Sequence, residues 1–521
     1  MTKQTNGPKE TKSKRSLQAA AIITGMIAIS KIIGYLREAV VNATFGQSAA
    51  ADAYTNANTI LSMFTLLFSS GIASTFIPIY TKEKLAGGFQ KANRYANNVV
   101  NLYIIVSVAA TVLAAFVFTS PQFLGLFYQK NVELIAPLAR ILCLSIAFSA
   151  VWGVLCNVLN ANERFIPETL QGYILSACII FACLQFGDIR SLTIATALAP
   201  VFQLLSLVPS LRGVYRYQPR LHLNDSNLRR TFWLAMPAMI AMEFDTINNF
   251  VDTIFANAMI DGSARILKNC YSIVILLQGI FVVPLTTVSY PRLSRSAGEG
   301  DTASIVDSIK QTTEMLAAVL FPIIGIIVIM RTEVFAILFQ HGEFTAEGTA
   351  RAALPLACYV IGVFGFGLRN YQSRVFYALQ RTWPPMLIGM CMVVLTIVLD
   401  FLFVRVFDFG LAGLTLATSM TGSLGAMIML ITLRRYLGRM KIKAMLPQLA
   451  RTLLATAVGV VMTLLVRNLW VAPAAAGFVL RLARLFVCGM AGLLGYLLAA
   501  KALRVQALQE IISLVWRRRR R

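Results

Sequence analysis

Apolar stretches of about twenty residues recur along this 521-residue chain, separated by short polar links. An α-helix rises 1.5 Å per residue, so roughly 20 apolar residues cross the ~30 Å hydrocarbon layer of a bilayer. Within that layer each backbone N–H and C=O must be satisfied inside the segment, which makes the helix the natural form of a single crossing. The pattern predicts an all-α polytopic membrane protein of about fourteen transmembrane helices. They fall near 17–41, 51–80, 97–119, 133–160, 166–186, 190–211, 230–258, 268–290, 312–331, 352–378, 385–405, 410–433, 449–468 and 475–500. Only 13% of residues are charged, against about 25% in soluble chains.

Charge in the links tests the count. The N-terminus carries Lys3, Lys9, Lys12, Lys14 and Arg15, and the next link, "NATFGQSA", carries none. "TKEKLAGGFQKANRYANN" is basic, "PQFLGLFYQKN" nearly neutral, and "RGVYRYQPRLHLNDSNLRR" basic again. "LRRYLGRMKIK" and the tail Arg517 to Arg521 complete the alternation. Under the positive-inside rule an even number of spans with two basic ends places both termini in the cytoplasm. The net charge of +24 is thereby explained by topology and by anionic lipid rather than by nucleic acid. The first apolar stretch lacks a small-residue cleavage site and reads as a retained helix.

Enzymatic chemistry finds little support. The eight cysteines form no CxxC pair, and the two histidines, His222 and His341, stand alone. No Walker A, GxSxG, HExxH or strand-borne GxGxxG motif occurs, and no link is long enough for a separate globular domain. The expectation is a transporter, not an enzyme, that needs no cofactor.

Ionisable residues inside spans are costly and mark cavities, partners or pathways. "SKIIGYLREAVV" places Lys31, Arg37 and Glu38 in the first span. Lys31 and Glu38, seven apart, share a helical face, and Arg37 points about 120° from Lys31. Asp52, Asn56 and Asn58 open the second span, and Arg140 follows Pro137 in the fourth. In the seventh, "AMEFDTINNFVDTIFANAM", Asp245, Asn248, Asn249 and Asp252 recur at i, i+3, i+4 and i+7 as one polar stripe beside Glu243. Arg369 and Arg374 lie in the tenth span, Thr396 and Asp400 in the eleventh, Thr415, Thr418 and Ser419 in the twelfth. Guanidinium and ammonium groups suit an anionic phosphate. Carboxylate and hydroxyl oxygens suit sodium or a proton relay. Together they describe a secondary transporter of an anionic substrate.

The stretches "SKIIGYLREAVV", "ADAYTNAN", "GIASTFIPIY", "DTIFANAMIDGS", "SYPRLSR", "LFQHGEFTAEGTARAALPLACYVIGV" and "GLAGLTLATS" resemble, in order over most of 17–435, the MurJ (MviN) lipid II flippases. That family lies in the multidrug/oligosaccharidyl-lipid/polysaccharide exporter superfamily. The resemblance implies two pseudo-symmetric six-helix lobes around a central cavity, plus a C-terminal helix pair that forms a lipid-tail groove. The chain then divides into a basic N-terminus (1–16), an N-lobe (17–212), a basic linker (213–229), a C-lobe (230–435), a second basic linker (436–448), the helix pair (449–500) and a basic tail (501–521). It also implies alternating-access movement of an undecaprenyl-pyrophosphate-linked peptidoglycan precursor from inner to outer leaflet of the bacterial cytoplasmic membrane. Cell-wall synthesis proteins are the implied partners.

Carried over residue by residue, Lys31 stands where the family commonly has an arginine. Arg37 matches its cavity arginine, Glu38 replaces an aspartate and Asp52 matches one. Asp252, Thr396, Asp400 and Thr418 fall where some members build a sodium site. The family's basic residue of the second span is Thr65 or Leu66 here, and an Asp-Arg pair of the eighth reads Tyr271-Ser272. Arg140 and Arg369 are the bases available to compensate. A flippase for another polyprenyl-linked glycan keeps this mechanism and changes the sugar. A cation-coupled drug antiporter should prefer an acidic cavity, which Lys31 and Arg37 oppose, and a non-transporting scaffold has no use for the polar stripe.

Overall fold

The computed structural model describes residues 8–69, 72–229, 231, 233, 244–438, 444–470 and 477–508. Every regular element among them is helical: α1 (Pro8–Phe45), α2 (Ala49–Ser69), α3 (Ile72–Leu113), α4 (Pro121–Leu124), α5 (Val132–Ala161), α6 (Ile166–Gln185), α7 (Ile189–Leu211), α8 (Phe244–Asn257) and α9 (Ser263–Leu277) come first. They are followed by α10 (Val283–Gly298), α11 (Thr302–Ile329), α12 (Arg331–Phe339), α13 (Ala346–Ile361), α14 (Val363–Ala378), α15 (Trp383–Phe401), α16 (Gly410–Leu437), α17 (Leu446–Leu469) and α18 (Phe478–Ala502). Single π-helical turns follow α3, α9 and α15.

Among the described residues eleven helices are long and apolar enough to cross a membrane, and they coincide with eleven of the fourteen expected segments. The other three segments, 17–41, 51–80 and 230–258, each include positions whose side chain or backbone lies outside the described residues; within them α1, α2 and α8 are helical. The basic stretch after the second span is helical as well, broken only at Gly87 and Gly88. Gly88, with φ 64° and ψ −156°, occupies backbone space that other residues avoid. The link after the ninth span contains α12, a short helix hidden by its mixed polarity.

The chain forms two compact units, Met1–Val41, Ile60–Leu126 and Val132–Met239 in one, and Asn42–Thr59, Phe127–Asn131 and Ile240–Arg521 in the other. The end of α1 and the start of α2 therefore group with the second unit, not with the first six spans as the sequence suggests.

In the first unit α3, α5 and α7 pack side by side. Phe76 stacks between Tyr80 (ring centroids 5.6 Å apart) and Tyr95 (5.3 Å) in their core. Four asparagines of α3, at i, i+4, i+5 and i+8, share one face and meet the extended linker after α7. Asn93 exchanges two bonds with the Arg216 backbone (2.8 and 2.9 Å). Asn97 donates to Arg216 O (2.9 Å) and accepts from Gln218 N (2.8 Å). Asn101 donates to the carbonyls of Gln218 and Arg220, and Asn98 accepts from His222 N. An extended segment has no backbone ladder of its own, so these amides satisfy the groups it would otherwise leave open. Replacing Asn97 by alanine removes several bonds worth about 1 kcal/mol each. Limited trypsin digestion should then cut at Arg216 and Arg220 roughly tenfold faster, since the open state gains population.

In the second unit α17 and α18 form a hairpin of close backbone approach. A Cβ on Gly459 would lie 2.7 Å from Gly492 O, and one on Gly495 would lie 2.8 Å from Met462 Cγ. Small residues at such crossings are the usual means of helix association in lipid.

Candidate functional site

The second unit gathers two acidic residues and a threonine from three helices. Asp252 on α8 is 1% exposed and Asp400 on α15 is fully buried. Their carboxyl groups adjoin. Thr418 on α16 donates its hydroxyl to Asp252 Oδ2 at 3.1 Å. One turn before Asp400, Thr396 bonds to Met392 O and to the Thr421 hydroxyl, both at 2.8 Å. Asp400 is the next-to-last residue of α15, immediately before the π-helical turn Leu402–Val406. Such turns recur at functional sites.

Among the described residues, three of the four carboxylate oxygens, Asp252 Oδ1 and both of Asp400, are buried with no hydrogen-bond donor. So is Asn248 Oδ1, one turn from Asp252 on α8. Buried acceptors are nearly always satisfied, and adjoining carboxylates are costly in a low-dielectric interior. The donor set is oxygen throughout, and among the described residues no three His, Cys, Asp or Glu side chains cluster. Carboxylate, hydroxyl and amide oxygens fit a hard monovalent cation or shared protons. Asp245, expected on the same stripe, has its side chain outside the described residues, as does all of Glu243.

The expected bases lie on three helices. Lys31 is exposed on α1. Arg37 Nη2 meets Glu38 Oε1 at 2.9 Å, with side chains 20% and 12% exposed. Arg140 is exposed on α5, and Arg369 is half-buried on α14.

Asp52 is committed to backbone groups of the second unit. It is 3% exposed and accepts from Gly262 N (2.7 Å) and Arg265 N (2.8 Å), so it caps the start of α9 from another helix. Asp52→Ala leaves two buried donors unmet, each costing about 1–3 kcal/mol. The detergent-solubilised variant should unfold at a clearly lower temperature, with partial rescue in Asp52→Asn.

Two bases of α9 escaped the sequence reading because the eighth span seemed to start at Lys268. Arg265, 2% exposed, donates from Nε to Asn42 Oδ1 at 2.8 Å, and Asn42 and Asn269 exchange amide bonds. Lys268 Nζ sits 5.8 Å from the centroid of the Tyr271 ring, at the place where the expected Asp-Arg pair is missing. The charges in "SARILKN" were the available signal.

Comparison with known proteins follows the same lines. A family model described as "Lipid II flippase MurJ" matches residues 41–484. A probable lipid II flippase MurJ of Vibrio cholerae is 26% identical over 434 residues, covering 80% of this chain and 82% of that protein. One of Thermotoga maritima is 25% identical over 489 residues, covering 93% and 96%. A solved structure described as lipid II flippase MurJ in an inward closed conformation superposes with a TM-score of 0.75 at 21% identity, covering 92% and 98%. An inward-facing multidrug resistance MATE family transporter of the MOP superfamily superposes at 0.66 and 15% identity, covering 81% and 99%, a likeness of fold alone.

Proposed function

The chain belongs to the lipid II flippase MurJ family, and from that premise we propose that it carries lipid II from the inner to the outer leaflet, coupled to a cation or proton held between Asp252 and Asp400. It is a multi-pass membrane protein of the bacterial cytoplasmic membrane, with both termini in the cytoplasm, and acts as a carrier rather than an enzyme. Arg37 and Lys31 engage the pyrophosphate by charge-assisted hydrogen bonds, with Glu38 orienting the Arg37 fork. Arg140 and Arg369 supply further positive charge along the route. The polyprenyl tail stays in lipid beside α17 and α18 while the headgroup crosses by alternating access. Proteins that make or consume lipid II are its partners.

The observation that supports coupling most directly is the buried, donor-poor carboxylate pair. Occupation by sodium or protons changes the charge of α8 and α15 together, and a ligand that prefers one conformation shifts the population toward it. A flipping assay in proteoliposomes containing lipid II, with sodium and proton gradients imposed separately, tests this. Transport should respond to one gradient, and that response should vanish in Asp252→Ala. Flipping indifferent to both gradients overturns the coupling, and no flipping of lipid II by the intact chain overturns the substrate.

A further inference from the structure

The ends of the last two spans beside residues 470–477 carry charge that topology does not explain. Arg467 lies in the last turn of α17, and Arg481 and Arg484 lie in the first two turns of α18. In the orientation proposed above this end faces outward, where the first two links carry a single base, Lys130. Cations near a helix N-terminus also oppose its dipole, so Arg481 and Arg484 are doubly out of place. Three residues apart, they share a face of α18.

Two of the three arginines reach α12, and the third reaches Gln340 just beyond its end. Glu333, 8% exposed, engages through one oxygen only: Oε1 lies 3.4 Å from Arg467 Nε and 3.4 Å from Arg484 Nη1. Both separations exceed the roughly 2.7–2.9 Å of a short charge-assisted bond. Arg481 Nη1 donates to Gln340 Oε1 at 2.9 Å, and Arg484 Nη2 donates to Arg467 O at 3.2 Å. Arg484 Nε is buried with no acceptor among the described residues. One carboxylate thus serves two guanidinium groups, and the third is met by an amide oxygen. Pinning the hairpin to α12 would need one arginine, and the other two leave positive charge with no counterpart in this cluster. Beside them Leu469, Phe478, Val479 and Phe486 are exposed, as suits side chains lying against acyl or prenyl chains.

We propose that Arg467, Arg481 and Arg484 form a site for the phosphate headgroup of an anionic lipid in the outer leaflet, its chain lying along α18. Guanidinium forks match phosphate oxygens two at a time, which a zwitterionic headgroup with its own ammonium rewards far less. A resident phospholipid and an isoprenoid diphosphate offer the same chemistry. Only the outward orientation is taken from the proposed function, and lipid binding in detergent requires neither flipping nor ion coupling, so either can fail alone.

Native mass spectrometry of the intact protein, titrated separately with cardiolipin, undecaprenyl diphosphate and phosphatidylcholine, decides the matter. The parent chain should retain one anionic lipid, and the double variant Arg481→Gln/Arg484→Gln should bind it at least about tenfold more weakly, since each lost charged bond is worth about 1.5–3 kcal/mol. Phosphatidylcholine binding should not change. The anionic lipid whose affinity falls further is the native occupant. Glu333→Gln removes the competing carboxylate and should tighten anionic binding several-fold. Unchanged anionic affinity in a folded double variant, or a parallel fall for phosphatidylcholine, overturns the site. Should the double variant not fold, Glu333→Gln decides alone: tighter binding supports the site, and unchanged or weaker binding overturns it.

Discussion

Asp400→Asn is expected to give a protein that unfolds later than the parent yet flips little lipid II. In the parent, Asp400 and Asp252 adjoin with three oxygens lacking donors among the described residues. An amide at 400 removes one charge and supplies two N–H donors to the neighbouring carboxylate. Satisfying a buried polar group is worth about 1–3 kcal/mol, and thermal unfolding in sodium-free detergent should show that gain. Transport should move the opposite way. Coupling free energies of 1–3 kcal/mol correspond to about 5–150-fold, and the ion-dependent part of flipping should fall within that range. A site held unstable for function commonly trades in this direction. Full flipping with intact ion dependence in Asp400→Asn would remove the pair from the mechanism.

Arg37→Ala is expected to abolish growth support in a strain depleted of its own flippase. The Arg37–Glu38 bond at 2.9 Å uses one edge of the guanidinium, and the side chain stays 20% exposed, leaving donors for a phosphate. Losing charged hydrogen bonds of about 1.5–3 kcal/mol predicts a fall in flipping of about 10–100-fold. Arg37→Lys should recover part of it, because the charge persists while the fork is lost. Glu38→Gln should cost less than Arg37→Ala, since it frees the guanidinium rather than removing it. An Arg37→Ala chain that sustains growth and flips at the parent rate would exclude the substrate role.

The spans were legible because lipid imposes one rule on every crossing, and eleven segments met it on apolar length alone. Asp252, Asp400 and Thr418 were legible for a related reason: carboxylates in an apolar run need a shared purpose, and three helices bring them together. Asp52 was harder to place. Its charge stood out, but its partners, two backbone N–H groups 210 and 213 residues away in sequence, leave no mark in composition. Arg265 and Lys268 were hidden because boundaries drawn on hydropathy discard the first turns of a span. The arginines of the final hairpin drew no reading from the sequence, because Glu333 of α12, which two of them share, lies more than 130 residues away along the chain.

The strap between α7 and the second half of the chain is stitched down by Asn93, Asn97, Asn98 and Asn101 as far as His222. Asn98 and Glu83 hold it further on, through Asp225 and Asn227. Its contour length therefore overstates its slack. A reporter or protease site spliced into residues 214–222 would unpick the stitching before it monitored any motion, and Leu228 in the core and Thr231 on the Tyr95 hydroxyl (2.6 Å) extend the anchorage past Asn227.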